Sequence, residues 1–188
     1  CFNMALTKTP ICDFGKKADF FSLKSTQEEE VNLNNIKGEN GTLIMFICNH
    51  CPYVKAVIKD IVNDSNILKE KGINTVAIMS NDVKKYPEDS LENMIKFAID
   101  NNFTFPYLID ETQEVAKKYN AVCTPDFFGY NKNLELQYRG RIRELKNLKP
   151  VRDGNSELLK SMNLICKTGK GPKNQLPSIG CSIKWFNN

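Results

Sequence analysis

The sequence predicts an α/β domain with a central mixed β-sheet and helices on both faces. Three observations predict it. Leu43-Ile44-Met45-Phe46-Ile47 and Thr75-Val76-Ala77-Ile78-Met79 are continuous apolar runs of strand length, without the alternation of a half-solvated strand. Between them Val54, Val57, Ile58, Ile61 and Val62 keep helical spacing. Later in the chain a hairpin pattern and a further helical segment close an alternating order of strands and helices.

Along the chain, Ala18 to Leu23 and Val31 to Leu33 suggest an added N-terminal β-hairpin. The run from Leu43 opens a strand–helix–strand unit ending at Met79, whose right-handed crossover makes a parallel pair. A second helix follows Asp89-Ser90, with Leu91, Met94, Ile95 and Ala98 on one face. A third opens at Asp110, with Gln113 three residues on as its capping-box partner. Phe127 to Tyr130, the turn Asn131-Lys132-Asn133, and Leu134 to Arg139 read as a second hairpin. The last helix covers roughly Asn155 to Cys166. Beyond it Gly169, Gly171, Pro172 and Pro177 mark an extended tail, with Ile183, Trp185 and Phe186 as apolar anchors. The 188 residues thus divide into an extension over 1–17, one domain over 18–168 and a tail over 169–188 packed on the domain.

Composition narrows the function. A net charge of +4 is spread over lysines on every segment, so no basic stripe offers itself to nucleic acid. The longest apolar stretch, Leu43 to Cys48, fits a buried strand and is far short of a membrane span. Cys1 to Phe14 lacks the apolar core of a signal peptide, and Met4-Ala5-Leu6 fits a start. A reducing, cytoplasmic compartment is expected, with an organelle reached through a removed extension left open. Seven cysteines there point to reactive or metal-binding thiols over a structural disulfide set.

Cys48-Asn49-His50-Cys51-Pro52 lies between the first apolar strand and the helix after it. Cys48 is expected near the helix N-cap, where free N–H groups and the positive helix end favour a thiolate. Cys51 stands about one turn on, within reach of a disulfide. Pro52 suits the first turn, where its missing N–H is tolerated. His50, the chain's one histidine, is expected to stabilise a Cys48 thiolate, against the plainer reading of a solvated surface residue. Zinc sites share the C-x-x-C spacing, but zinc asks for two further ligands and the chain has no second such motif. Cys48, His50 and Cys51 with a distant Cys123 or Cys181 stay open as a copper or zinc set, ranked below redox use.

Phe46-Ile47-Cys48-Asn49-His50-Cys51-Pro52-Tyr53-Val54-Lys55 resembles the signature of the peroxiredoxin-like branch of the AhpC/TSA redoxins, within the thioredoxin superfamily. The likeness continues through Ser80-Asn81-Asp82, Tyr86-Pro87-Glu88-Asp89-Ser90, Phe105-Pro106-Tyr107-Leu108, Asp110-Glu111-Thr112-Gln113, Cys123-Thr124-Pro125-Asp126, Tyr138-Arg139-Gly140-Arg141-Ile142 and Pro177-Ser178-Ile179-Gly180-Cys181-Ser182. It covers nearly the whole chain from Ala18. The resemblance implies a thioredoxin-like fold, Cys48 as nucleophile, Cys51 as the resolving thiol, and Asn49 in a supporting place. It also implies that Thr124-Pro125 is a cis-proline step that faces the pair and binds an extended substrate segment. Without the resemblance Thr-Pro reads as an ordinary turn.

The departures from the family bear on activity. Peroxiredoxins carry a threonine or serine where this chain has Cys48, and a proline where it has Ile44. Arg139 lies in a different strand from the family's peroxide-binding arginine. Thioredoxin's tryptophan and buried carboxylate are replaced by Ile47 and Thr42, leaving Asp126 and Lys55 as proton acceptors by proximity. Cys123 reads as a buried small hydrophobe or as a supporting thiol at the pair. Cys181 reads as an extra resolving thiol or as a packed tail residue, and Cys12 and Cys166 read as structural. The expected function is thiol–disulfide exchange with protein or small-molecule disulfides and a thiol redox partner, without a bound cofactor. The alternatives are a thiol peroxidase acting on peroxides and a metal-binding module.

Overall fold

The structure, a computed structural model, describes residues 5–10 and 12–186. Cys1 and the Met4 start lie outside the described residues. In chain order the elements are β1 (Leu6–Lys8), β2 (Ser22–Ser25), β3 (Glu30–Asn32), α1 (Leu33–Ile36), β4 (Gly41–Phe46), α2 (Pro52–Lys69), β5 (Ile73–Met79), a 3-10 turn (Pro87–Asp89) and α3 (Leu91–Asp100). There follow β6 (Tyr107–Ile109), α4 (Glu114–Lys118), β7 (Cys123–Thr124), β8 (Asp126–Asn131), β9 (Leu136–Tyr138), the small pair β10 (Leu145–Lys146) and β11 (Lys149–Pro150), α5 (Glu157–Thr168) and β12 (Ile179–Ser182).

The central sheet has the order β3-β2-β6-β5-β4-β8-β9. Its middle strands β6, β5 and β4 are parallel; β2 and β8 flank them antiparallel, and the outer strands β3 and β9 pair antiparallel with β2 and β8. Successive side chains of a strand point to opposite faces, so each apolar run builds two cores. Leu43 and Met45 pack with Val54, Val57 and Ile61 of α2 and Leu158 and Met162 of α5. Ile44 and Phe46 pack on the other face with Leu33 and Ile36 of α1 and Val115 and Ala116 of α4. Each such buried aliphatic contributes roughly 1.5–3 kcal/mol relative to exposure. At Gly129 a Cβ would stand 2.5 Å from the Met162 sulfur and 2.9 Å from the Tyr138 Cβ, so a side chain there would push into the packing of α5 and β9.

The expected mixed sheet with helices on both faces is present, as is the N-terminal hairpin, here Ser22 to Asn32. Three details differ from the sequence expectation. The first long helix continues past Val62 to Lys69, because Ser65 and Leu68 prolong its buried stripe and Asp64 receives the Ser156 hydroxyl. Gln113 makes no capping box with Asp110. It sits in the left-handed region (φ 64°) and donates its side-chain amide to the Ser80 and Lys184 carbonyls, while Asp110 accepts the Ala116 N–H at 2.9 Å. Part of the tail is a strand: β12 lies between β1 and β7 in a second, three-stranded sheet.

Candidate active site

Strand β4 ends at Phe46, and the chain crosses the sheet's rim through 47–50 before α2 begins at Pro52. The N-cap is Cys51, extended at φ −66° and ψ 122°, with Pro52 in the first turn. Cys48, expected near the N-cap, is not the cap itself: with Pro52 opening the helix, it is Cys51 that faces the unsatisfied N–H groups. Cys48 lies three residues earlier, 1% exposed; Cys51 is 0% exposed.

Thr124 lies against both sulfurs, and its peptide bond to Pro125 is cis. The Cys48 Sγ is 3.4 Å from the Thr124 hydroxyl. The Cys51 Sγ is 3.2 Å from the Thr124 carbonyl, to which its thiol form donates. A third sulfur completes the group, since the Cys181 Sγ on β12 is 2.9 Å from that of Cys51. Three thiols this close titrate as a unit. The Cys51 pKa is lowered, first by its bond with the Cys181 thiol and then by its bond with Cys48, with the Val54 and Cys181 amides adding to this against the effect of burial. Cys48 is correspondingly pushed well above the usual thiol range, by its bond to Cys51, by burial and by the Asp89 charge. Cys181 is raised by its bond to Cys51 and by burial.

The loop bearing the pair is held by one carboxylate. Asp89, fully buried at the end of the 3-10 turn, accepts the Asn49 N–H at 2.8 Å, the His50 Nδ1 at 2.7 Å and the Asn81 side-chain amide at 2.8 Å. Asn49 donates its own amide to the Glu88 carbonyl and accepts the Tyr107 hydroxyl at 2.9 Å. His50 stacks on Tyr86, with ring centroids 5.7 Å apart, and its pKa is raised by the bond to Asp89. The sequence assigned His50 to the Cys48 thiolate; in the structure its Nδ1 is bonded to Asp89 instead. Asp89, Asn81 and Tyr107 are the site residues that residue-by-residue reasoning missed, although all three lie inside the segments that carry the family resemblance.

The remaining candidates divide. Cys123 is buried on β7 with its sulfur on the Pro125 carbonyl, and burial raises its pKa far above the thiol range, so it stands beside the sulfur group without joining it. Asp126 is engaged by Arg139 at 2.9 Å and Lys55 is exposed, which removes both as proton acceptors for the pair. The four arginines, 139, 141, 143 and 152, each pair with a carboxylate, Asp126, Glu157 or Asp60. Ligand atoms of Cys48, His50 and Asp89 lie within 4.8 Å of one another, and the His50 Nδ1 there is bonded to Asp89. Among the described residues, no helix is long and apolar enough to cross a membrane.

The chain matches the AhpC/TSA family over residues 14–145. No curated protein matches it. Among solved structures it is similar to an uncharacterized conserved protein from Geobacillus kaustophilus, at 41% identity and TM-score 0.93 over 100% of both chains. A hypothetical protein from Sinorhizobium meliloti 1021 is 31% identical at TM-score 0.89, over 97% of this chain and 100% of that one. The thioredoxin domain of a thiol-disulfide oxidoreductase from Bacteroides vulgatus gives TM-score 0.61 at 15% identity, over 84% of this chain and 98% of that one. This last likeness concerns the fold, which is thioredoxin-like as the resemblance implied.

Proposed function

The chain belongs to the AhpC/TSA family, and from that premise we propose that it is a thiol–disulfide oxidoreductase in which Cys51 attacks and Cys48 resolves. The observation that carries this is the placement of Cys51 at the mouth of α2, with two thiols beside it and the Thr124–Pro125 step against it. The roles are the reverse of those the resemblance implied. A helix N-terminus and neighbouring donors lower the Cys51 pKa, while its bond to Cys51, burial and then the Asp89 charge raise that of Cys48.

The chemistry is two exchanges. The Cys51 thiolate attacks one sulfur of a substrate disulfide and expels the other as a thiolate. Cys48 then loses its proton and attacks the Cys51 sulfur of the mixed disulfide, releasing the second substrate thiol and leaving a Cys48–Cys51 disulfide. Asp89 acts through the loop: it fixes Asn49 and His50 and so the separation of the two sulfurs. A thiol redox partner returns the pair to the dithiol state. The working compartment, cytoplasmic on the sequence reading, belongs to the same proposal.

Insulin reduction with dithiothreitol as electron donor tests the proposal. Wild type is expected to reduce insulin, and Cys51→Ser to fall to background. With Cys181 also replaced, Cys48→Ser is expected to trap a mixed disulfide on Cys51. Equal rates for wild type and Cys51→Ser, or trapping on Cys48 alone in the Cys51→Ser protein, overturn it. The peroxidase alternative draws on the Thr124 hydroxyl beside Cys48. Peroxide consumption above that of denatured protein would favour it, although every arginine is engaged elsewhere.

A further inference from the structure

Building on that exchange reading, we propose that β12 is a tethered stand-in for the substrate strand, and that its Cys181 closes a second disulfide with Cys51. Strand β7 belongs to no pairing of the central sheet; its partner is β12, with Cys181 opposite Thr124 and Ser182 opposite Cys123. An extended peptide adding to the residues before Pro125 would take this same edge. The chain's own segment already fills it, and with it in place both Cys48 and Cys51 are closed to solvent.

The contact is closer than packing alone requires. A Cβ on Gly180 would stand 2.0 Å from the Thr124 carbonyl oxygen, so only glycine lets the two backbones meet. The Ser178 hydroxyl donates to the Pro125 carbonyl at 2.6 Å. Packing would accept any small apolar side chain at 181; the chain carries a thiol there, its sulfur 2.9 Å from that of Cys51. At its C-terminal end the strand is moored. Ser182 N–H donates to the Ala5 carbonyl at 3.0 Å, and Lys184 N–H donates to the Asn81 side chain at 2.8 Å, while Gln113 bonds Lys184 and Phe186. These moorings return a displaced β12 in the same register. A cleft of about 280 Å³ lined by Leu6, Tyr53, Pro125, Ile142 and Ile179 continues the edge outward and offers an incoming peptide its first apolar foothold.

With β12 lifted, Cys51 thiolate attacks a low-molecular-weight disulfide and releases one thiolate. When β12 returns, Cys181 gives up its proton to that thiolate and attacks the Cys51 sulfur. The second small sulfur leaves as a thiolate, protonated by solvent, and a Cys51–Cys181 disulfide remains, so the Cys51 thiolate and the Cys181 thiol are oxidised and one disulfide is reduced to two small thiols. External protein substrates must compete with β12 for the β7 edge.

Two measurements test this. Wild type and Cys48→Ser, treated with limiting glutathione disulfide and mapped by mass spectrometry, are expected to yield a Cys51–Cys181 linkage. A Cys48–Cys51 linkage alone, with Cys181 still alkylated, overturns the second disulfide. Gly180→Val keeps all three thiols but cannot seat β12; with Ser178→Ala as a milder variant, it is expected to raise Cys51 alkylation by iodoacetamide and insulin reduction about tenfold, as for loss of one short strand's pairings. Unchanged rates in both variants, each folded by circular dichroism, overturn the stand-in. If wild type and Gly180→Val both leave insulin intact while the Cys51–Cys181 linkage forms, the exchange function fails and the linkage survives. If insulin is reduced but neither effect appears, the tethered strand alone fails.

Discussion

Replacing Asp89 by Asn isolates the carboxylate that organises the site. Asp89 accepts three hydrogen bonds, from the Asn49 backbone, His50 Nδ1 and the Asn81 amide, at 2.7–2.8 Å and without solvent contact. A carboxamide of the same shape can accept on one side only and turns an N–H group toward the other donors. At roughly 1.5–3 kcal/mol for each hydrogen bond to a buried charge, the loss of one to two of them comes to about 2–5 kcal/mol. For a domain of this length that is a fall in Tm of roughly 5–15 °C. Because His50 is the chain's one histidine, a single-resonance NMR titration reads its pKa without assignment. In the wild type the Asp89 bond raises it, so the pair's stability is full below about pH 6.5, the unfolded histidine value, and is lost as pH rises through the folded pKa. Asp89→Asn is expected to drop the His50 pKa and to remove that pH dependence of stability. A His50 pKa equal in the two proteins would refute the placement of the charge, whatever happened to Tm.

Other outcomes follow from the same structure. Arg139→Leu strands the buried Asp126 carboxylate and is expected to cost about 3–5 kcal/mol in urea unfolding while leaving the sulfur geometry intact. Cys123→Ala removes a buried thiol that bonds only the Pro125 carbonyl; it is expected to cost about 1 kcal/mol and to leave insulin reduction unchanged. Gly129→Ala sets a methyl group against the Met162 sulfur and is expected to lower stability by roughly 1–3 kcal/mol, measured by thermal unfolding. Zinc added to anaerobically reduced protein is expected to bind well below one equivalent, because the His50–Asp89 bond occupies the candidate ligands; stoichiometric zinc lost in Cys48→Ala would instead support the metal-binding alternative.

Periodicity made the central architecture legible. Continuous apolar runs at Leu43–Ile47 and Thr75–Met79 mark strands buried on both sides, and the 3.6-residue spacing from Val54 marks the helix between them, because local pattern and tertiary burial agree there. Strand β6, three residues long, carries too short a period to be read, and β1 and β12 exist only through pairing with chain distant in sequence. The cysteine pair was visible by spacing and Thr124–Pro125 by resemblance. The reversed roles were not, because they turn on contacts from far along the chain, the Cys181 thiol on β12 and the Asp89 carboxylate, that the spacing around Cys48 does not carry. Asp89 was masked by its neighbour Ser90, which does cap α3 by accepting the Asn93 N–H, so the segment already had a sufficient local explanation. Gln113 shows the converse, a capping-box spacing whose side chain instead holds the tail.

Thiolate absorbance near 240 nm, followed against pH in wild type and in single cysteine variants under reducing conditions, tests most directly where the charge lies. A thiolate is expected to persist several pH units below the ordinary thiol value of about 8.5, to survive Cys123→Ala, and to vanish in Cys51→Ser. Absence of any thiolate below about pH 8, or its loss in Cys48→Ser with retention in Cys51→Ser, would contradict Cys51 as the charged nucleophile.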